Sequence, residues 1–338
     1  MTTPKRILTE VPASAAGARY RTALPQLRGG LFATDGGLET TLVFQEGIEL
    51  PAFAAFTLLE TDEGIARLLD YYTRYAAIAA RHGLGLVLEA PTWRANRDWG
   101  RQLGYDAGAL GRVNRAAIAL MERVRSACDS ATRPAVISGN LGPRGDGYVA
   151  ASRMSAAEAA DYHGEQIATF ADTAADMVSA FTINYVEEAI GIVRAAHEVQ
   201  IPVSISFTVE TDGNLPSGES LRDAIEVTDA ATGEYAAYYM INCAHPTHFR
   251  ETLRDGAAAG QAWVDRIRGL RANASCRSHA ELDASTELDA GDPEDLGRQY
   301  RELQATLRHL AVIGGCCGTD HRHVGAICGA LAREAGHG

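Results

Sequence analysis

Residues 177–207 read MVSAFTINYVEEAIGIVRAAHEVQIPVSISF. Two short apolar runs, Met177–Ile183 and Val203–Phe207, bracket a longer stretch of helical pattern. The first run is mainly apolar, and the second interleaves only the small Ser204 and Ser206 with Val203, Ile205 and Phe207. Continuous apolar character suits a parallel strand covered on both faces. The pattern recurs outward in both directions, at Leu31–Thr34, Leu84–Leu88, Ala135–Ser138, Tyr238–Asn242 and Ala311–Ile313, with a weaker run near Val264–Leu270. Helical segments lie between. Thr61-Asp62-Glu63 opens one whose Ile65, Leu68, Leu69, Tyr72, Ala76 and Ala79 fall on one face, stopped at Gly83. Ser155 and Glu158 form a capping box for another. Thr319-Asp320 is placed to cap the last, which is expected to run to about Arg333.

Eight strands alternating with eight helices predict an α/β fold, a (β/α)8 TIM barrel over about residues 30–335, behind an N-terminal extension at 1–29. A doubly wound open sheet competes, but no G-x-G-x-x-G follows the first strand. The stretch from about 272 to 293 is an irregular insert after the seventh strand, read equally as a lid over the barrel mouth or as a surface insertion.

The chain of 338 residues is long enough for two ordinary domains or one barrel, and it needs no disulfide staples. Its 31 Lys and Arg stand against 43 Asp and Glu, a net charge of -12, and no basic run occurs, which excludes a binder of phosphate backbones. Six cysteines are too few for a secreted disulfide scaffold. With no apolar leader and no run near the roughly 18 apolar residues of a membrane span, the expectation is a cytoplasmic protein with reduced thiols and neither nucleic-acid nor membrane partners. Self-association is left open.

In a barrel, chemistry sits where strands end. Those positions hold Asp35-Gly36-Gly37, Glu89 through Asn96, Gly139-Asn140, Phe181-Thr182, Asn242-Cys243 and Gly314-Gly315-Cys316-Cys317-Gly318-Thr319. Neighbouring residues of a regular strand face opposite ways, so Cys316 and Cys317 converge only if the backbone curls, a freedom Gly314, Gly315 and Gly318 supply. Three thiolates from two strand ends suit zinc with one open position, and soft ligands favour zinc or copper(I) over magnesium or calcium. The plain alternative is three small buried hydrophobes.

Asp35-Gly36-Gly37, Asn242-Cys243 and the Gly-Gly-Cys-Cys-Gly-Thr motif at 314–319 resemble the homocysteine S-methyltransferase family, over about residues 30–335 and in the family's order. The resemblance implies a zinc-dependent methyltransferase with Cys243, Cys316 and Cys317 as metal ligands and catalytic centre. It implies an acceptor held by the Asp35, Gly36, Gly37 turn, with Thr92, Trp93, Phe181 and Thr182 in the substrate pocket. Val186-Glu187-Glu188-Ala189 resembles the start of the family's fourth helix. The partners implied are a small thiol, first of all homocysteine giving methionine, and a small sulfonium or quaternary ammonium donor such as S-methylmethionine, S-adenosylmethionine or a betaine.

The sequence departs from the family in the acceptor pocket. Where the family carries a strand-4 glutamate that binds the acceptor's ammonium group, Phe181 stands. The segment after strand 7 reads Arg271-Ala272-Asn273-Ala274-Ser275, and the following Ser278–Asp283 differs as well. Glu39, Glu89 and Glu281 are the carboxyls left to take the missing role. Another thiol or selenol, a demethylase, and a non-catalytic zinc- or thiol-binding barrel stay open. His245, His248, His321 and His323 invite a binuclear-metal reading, but 321 and 323 point to different helix faces. Trp93 and Trp99 could stack on a donor cation, and Arg94 or Arg97 could clamp a carboxylate. Asp146-Gly147-Tyr148 reads as a turn, and Cys128, Cys276 and Cys328 as structural or incidental.

Overall fold

The eight apolar runs pair side by side, all parallel, into a closed barrel in chain order. This computed structural model describes residues 17–285 and 287–332. The expected extension up to residue 16, the helix end at Arg333 and the boundary at 335 lie outside the described residues. The strands are β1 (Phe32–Ala33), β2 (Gly85–Glu89), β3 (Ala135–Leu141), β4 (Met177–Ile183), β5 (Val203–Phe207), β6 (Tyr238–Asn242), β7 (Ile267–Ala272) and β8 (Val312–Gly315). The two-residue β1 closes the ring by pairing with both β2 and β8.

One long helix follows each strand on the outside: α1 (Asp62–Arg81), α2 (Ala107–Cys128), α3 (Ala156–Ala171), α4 (Val186–Glu198), α5 (Leu221–Thr232), α6 (Pro246–Ala258), α7 (Pro293–Thr306) and α8 (His321–Ala332). Their starts follow local chemistry. Thr61 caps α1 by accepting from Gly64 N, and Ser155 with Glu158 forms the capping box of α3. Asp292 caps α7, with Pro293 in its first turn. Glu188 on α4 meets His163 on α3 at 2.9 Å, both buried, and also accepts from Arg144 N.

The strands' outer faces and the helices form the main core, which includes Leu68, Tyr72, Ala76 and Ala79 of α1. The barrel lumen is different. Its lower part is apolar, with Phe32, Val87, Val136, Met177, Tyr238, Met240 and Val312 packed against Leu24 from the segment before β1. Higher up come hydroxyls: Ser138 meets Ser179 at 2.8 Å and Ser204 donates to Ser179 at 3.0 Å. The strands are thus less uniformly apolar than their runs suggest, because the lumen turns polar as it nears the mouth.

Residues 17–29 close the opposite end. The backbone N–H groups of Arg19 and Tyr20 donate to Asp176 Oδ1, whose other oxygen takes Ile137 N–H and the Arg125 guanidinium. No helix among the described residues is long and apolar enough to cross a membrane.

Candidate active site at the barrel mouth

The ends of β4 and β6 both leave the strand conformation abruptly. Thr182 has φ +62° and Cys243 φ +52°, left-handed values rare for residues with a side chain and rarest for a β-branched one. Such strain persists only where its surroundings hold it. Here Asn242 does so, accepting from Thr182 N and donating to Thr182 Oγ1, both at 2.9 Å. The turn at Cys243 aims its sulfur at the end of β8.

There the backbone curls as the glycines allow. Gly318 has φ +79°, and a Cβ on it would meet the Asp289 carbonyl at 2.8 Å. A Cβ on Gly37 would lie 2.6 Å from the Cys316 carbonyl, so the Asp35–Gly37 turn packs directly on the paired cysteines. Gly37 N–H donates to the Thr319 carbonyl and Gly315 N–H to that of Asp35.

The sulfurs of Cys243, Cys316 and Cys317 consequently all lie within 4.8 Å of one another, the one group of three or more metal-ligating side chains among the described residues. Cys243 and Cys316 are paired as a disulfide, with Cα atoms 5.4 Å apart, where the sequence led us to expect reduced thiols. Cys317 Sγ lies 3.7 Å from Cys243 Sγ. The other three cysteines lie elsewhere: Cys128 and Cys328 on helices and Cys276 exposed. Three soft donors converging from two strand ends fit a bound thiophilic metal ion.

Around the sulfurs lies a cavity of about 440 Å³. Asp35, Gly36, Gly37, Trp93, Phe181, Thr182 and the three cysteines line it, as the sequence reading had grouped them. Thr92 does not. It is fully buried and donates to the Asn140 carbonyl at 2.7 Å, tying the loop after β2 to β3.

Three further side chains were not singled out for the site. Tyr148, read as part of a turn, puts its hydroxyl 3.4 Å from Cys243 Sγ and 3.8 Å from Cys317 Sγ. His279 stacks on Tyr148 with centroids 4.2 Å apart and donates from Nε2 to the Cys243 carbonyl at 2.6 Å. Arg271 binds Asp35 at 2.8 Å, donates to the carbonyls of Gly36 and Gly315, and lies over the Phe181 ring at 4.9 Å. Burial opposes its charge, but Asp35 and Glu89 hold its pKa above the ordinary value. The only sequence signal for Tyr148 and His279 was their position after strands 3 and 7.

Other candidates resolve into structural roles. Arg94 is sandwiched between Trp93 and Trp99, 3.9 and 3.8 Å from their ring centroids, so its own guanidinium covers the faces offered to a donor cation. Arg97 reaches Asp161 and Glu165 on α3. His245 caps α6, His248 Nε2 donates to the Cys276 carbonyl, and buried His323 joins Asp320 and the Ala290 carbonyl. None of them joins the cysteines. Glu281 is exposed in a capping box with Ser278, away from the cavity, whereas Glu39 and Glu89 line it. The insert walls the mouth, contributing Ser275, His279, Leu282, Leu288 and Asp289.

A parallel barrel with a strand-end sulfur cluster and a walled pocket defines a class of barrel protein whose site at the strand ends is built on cysteine sulfur. A family profile described as homocysteine S-methyltransferase matches residues 33–331, and the chain belongs to that family. Homocysteine S-methyltransferase 1 of Arabidopsis thaliana is 24% identical over 90% of this chain and 95% of its own. The maize protein of the same name is 27% identical, but the match spans only 54% of this chain and 55% of the maize protein. Among solved structures, the homocysteine methyltransferase MmuM from Escherichia coli superposes with TM-score 0.70 in its metallated form, at 18% identity, covering 92% of this chain and 99% of that one. Its oxidized form superposes with TM-score 0.71. The chain is accordingly an enzyme of the homocysteine S-methyltransferase family.

Proposed function

We propose that the protein is a zinc-dependent methyltransferase that moves a methyl group from a small sulfonium or quaternary ammonium donor to a thiol, with homocysteine as acceptor and methionine as product. The observation that carries this reading is the convergence of three sulfurs within 4.8 Å on the wall of a barrel-mouth cavity. Cys243, Cys316 and Cys317, once reduced, would hold the zinc, which when bound supplies the charge that keeps an acceptor thiol deprotonated at neutral pH. A free thiol, with a pKa of about 8.5, is otherwise mostly protonated there.

The chain's own residues do the rest. His279 and Asn273 hold the Cys243 turn through its carbonyl, and Asn242 holds the neighbouring Thr182. Tyr148 donates to the sulfurs, limiting the negative charge they accumulate. Arg271 and Asp35 hold the Asp35–Gly37 turn, where the acceptor's polar end is bound. Phe44, Phe53, Leu282 and Leu288 give the mouth an apolar rim that excludes water. In the reaction the acceptor sulfur forms a bond to the donor's methyl carbon as the carbon–sulfur or carbon–nitrogen bond breaks. The electron pair leaves with the donor as a thioether or tertiary amine, and the thiol proton goes to solvent. Alignment and desolvation of the two partners account for the acceleration.

The test is a matrix of donors against thiols with reduced, zinc-loaded protein, read by mass spectrometry. Methionine from homocysteine is the expected product, together with stoichiometric zinc that is lost in Cys316→Ala. Stoichiometric zinc without any methylated thiol would show a metal-binding barrel instead, and reduced protein that retains no zinc would remove the proposed centre.

A further inference from the structure

Glu89 ends β2 and points into the lumen, on the opposite side of the eight-strand ring from the β6 end that carries Cys243. It is 2% exposed. One carboxyl oxygen accepts from Ser179 Oγ at 3.2 Å. The other, Oε2, is buried and has no hydrogen-bond partner among the described residues, although the side chain lines the cavity. A buried carboxylate oxygen without a donor is costly, and one facing a pocket marks a place where a ligand's donor belongs.

No cation forms a direct ion pair with Glu89 among the described residues, although Arg271 acts on it through space. Arg271 is the nearest, and it is committed to Asp35 and to the carbonyls of Gly36 and Gly315. Arg94 is held between two tryptophans. Against these two guanidinium groups the cavity wall presents Asp35, Glu39, Glu89, Asp146, Glu287 and Asp289. The wall therefore lacks positive charge, most acutely at Glu89, where water is least able to compensate.

Resting on the thiol-acceptor reading above, we infer that Glu89 is the acceptor-recognition carboxylate, its free oxygen taking the ammonium group of an amino-acid thiol whose sulfur lies across the mouth at the cysteine cluster. Homocysteine carries an ammonium group towards one end and a thiol at the other, and Glu89 and the cysteines line the same cavity. Phe181, beside Arg271, packs on the aliphatic part between them. The assignment makes Glu89 a specificity-determining residue that acts on binding and leaves the chemical step to the sulfur end.

The test compares homocysteine with γ-mercaptobutyrate, which keeps the thiol and carboxylate and lacks only the ammonium group. Calorimetry on zinc-loaded protein should show homocysteine binding on the order of tenfold to a hundredfold tighter, the value of one charge-assisted hydrogen bond to a buried carboxylate. In the isosteric Glu89→Gln variant that ratio should collapse towards one, and in turnover the loss should appear in KM with kcat nearly unchanged. Equal binding of the two thiols by the unmodified protein overturns the assignment without any variant, as does discrimination that survives in Glu89→Gln. Selective binding without turnover would instead count against the methyl-transfer reading and leave Glu89 in its role.

Discussion

Burial pushes the carboxyls of Glu39 and Glu89 up to about 7 each, with Arg271 opposing the rise at both. A carboxyl at that value is half protonated at neutral pH, so its ability to hold a cation titrates in the working range. The groups facing Glu89 are Ser138 and Ser179, Arg271 and Asp35, with the Tyr72 and Tyr238 phenols also in electrostatic reach, and of these Arg271 stays charged throughout. The direction follows: below about pH 7 Glu89 carries a proton and cannot pair with an ammonium, above it the carboxylate is free. We expect the ratio of homocysteine to γ-mercaptobutyrate affinity to rise by roughly tenfold between pH 6 and 8 and then level off. The ratio cancels the thiol's own ionisation, which is common to both ligands. A ratio flat with pH, or a rise that persists in Glu89→Gln, would place the titration elsewhere. At this scale the sequence disclosed the cysteines, because a rare residue type repeated at strand ends within glycines is conspicuous. It did not disclose Tyr148 or Arg271. A tyrosine in a turn and an arginine in a strand carry no local mark of what lies across the barrel.

The elements show the same division. β4, β5 and β6 have the bounds their mainly apolar runs suggest, with the serines of β4 and β5 facing the polar part of the lumen. β7 starts late, at Ile267, because Trp263–Arg266 forms a helical turn first. The insert between β7 and α7 was ambiguous in sequence because tertiary contacts decide its course. His279 sits in a short helix, His279–Asp283, that its own capping box starts, yet its ring bonds the Cys243 carbonyl and lies 3.1 Å from Glu210. Those contacts hold the insert over the mouth, and Asp289 with Ser275 and Ala290 with His323 hold its far end. Removing the ring in His279→Ala should therefore release the near end alone. Hydrogen exchange should speed up across residues 275–285, acceptor KM should rise several-fold, and the barrel's melting temperature should move by no more than a few degrees. Unchanged protection of that segment would mean the insert is held by its own packing.

Over the whole molecule, the two ends of the barrel do different work. At the mouth, backbone strain at Thr182 and Cys243, the unpartnered Glu89 Oε2 and three converging sulfurs are gathered around the cavity. At the opposite end the charged groups around Asp176 are paired. Asp176, fully buried, takes Arg125 at 3.2 Å, Ile137 N–H at 2.9 Å and the backbone of the segment before β1. Arg21 donates to the carbonyls of Ala171, Thr173 and Ala175. This segment was legible only as an extension, since nothing in a polar stretch announces that it will cover a barrel floor. Removing one partner of a buried pair leaves the other charge stranded, which typically costs about 3–5 kcal/mol. Asp176→Ala should lose that much in urea unfolding, because Arg125 is left buried and the segment loses its anchor. The site lies at the other end, so the folded variant should match the unmodified protein in binding of the proposed zinc and in acceptor KM. Loss of metal at a temperature where the variant is still folded would show that the floor and the mouth are coupled through the strands. Retention of both, with the full loss of stability, would establish that the barrel separates its support from its chemistry.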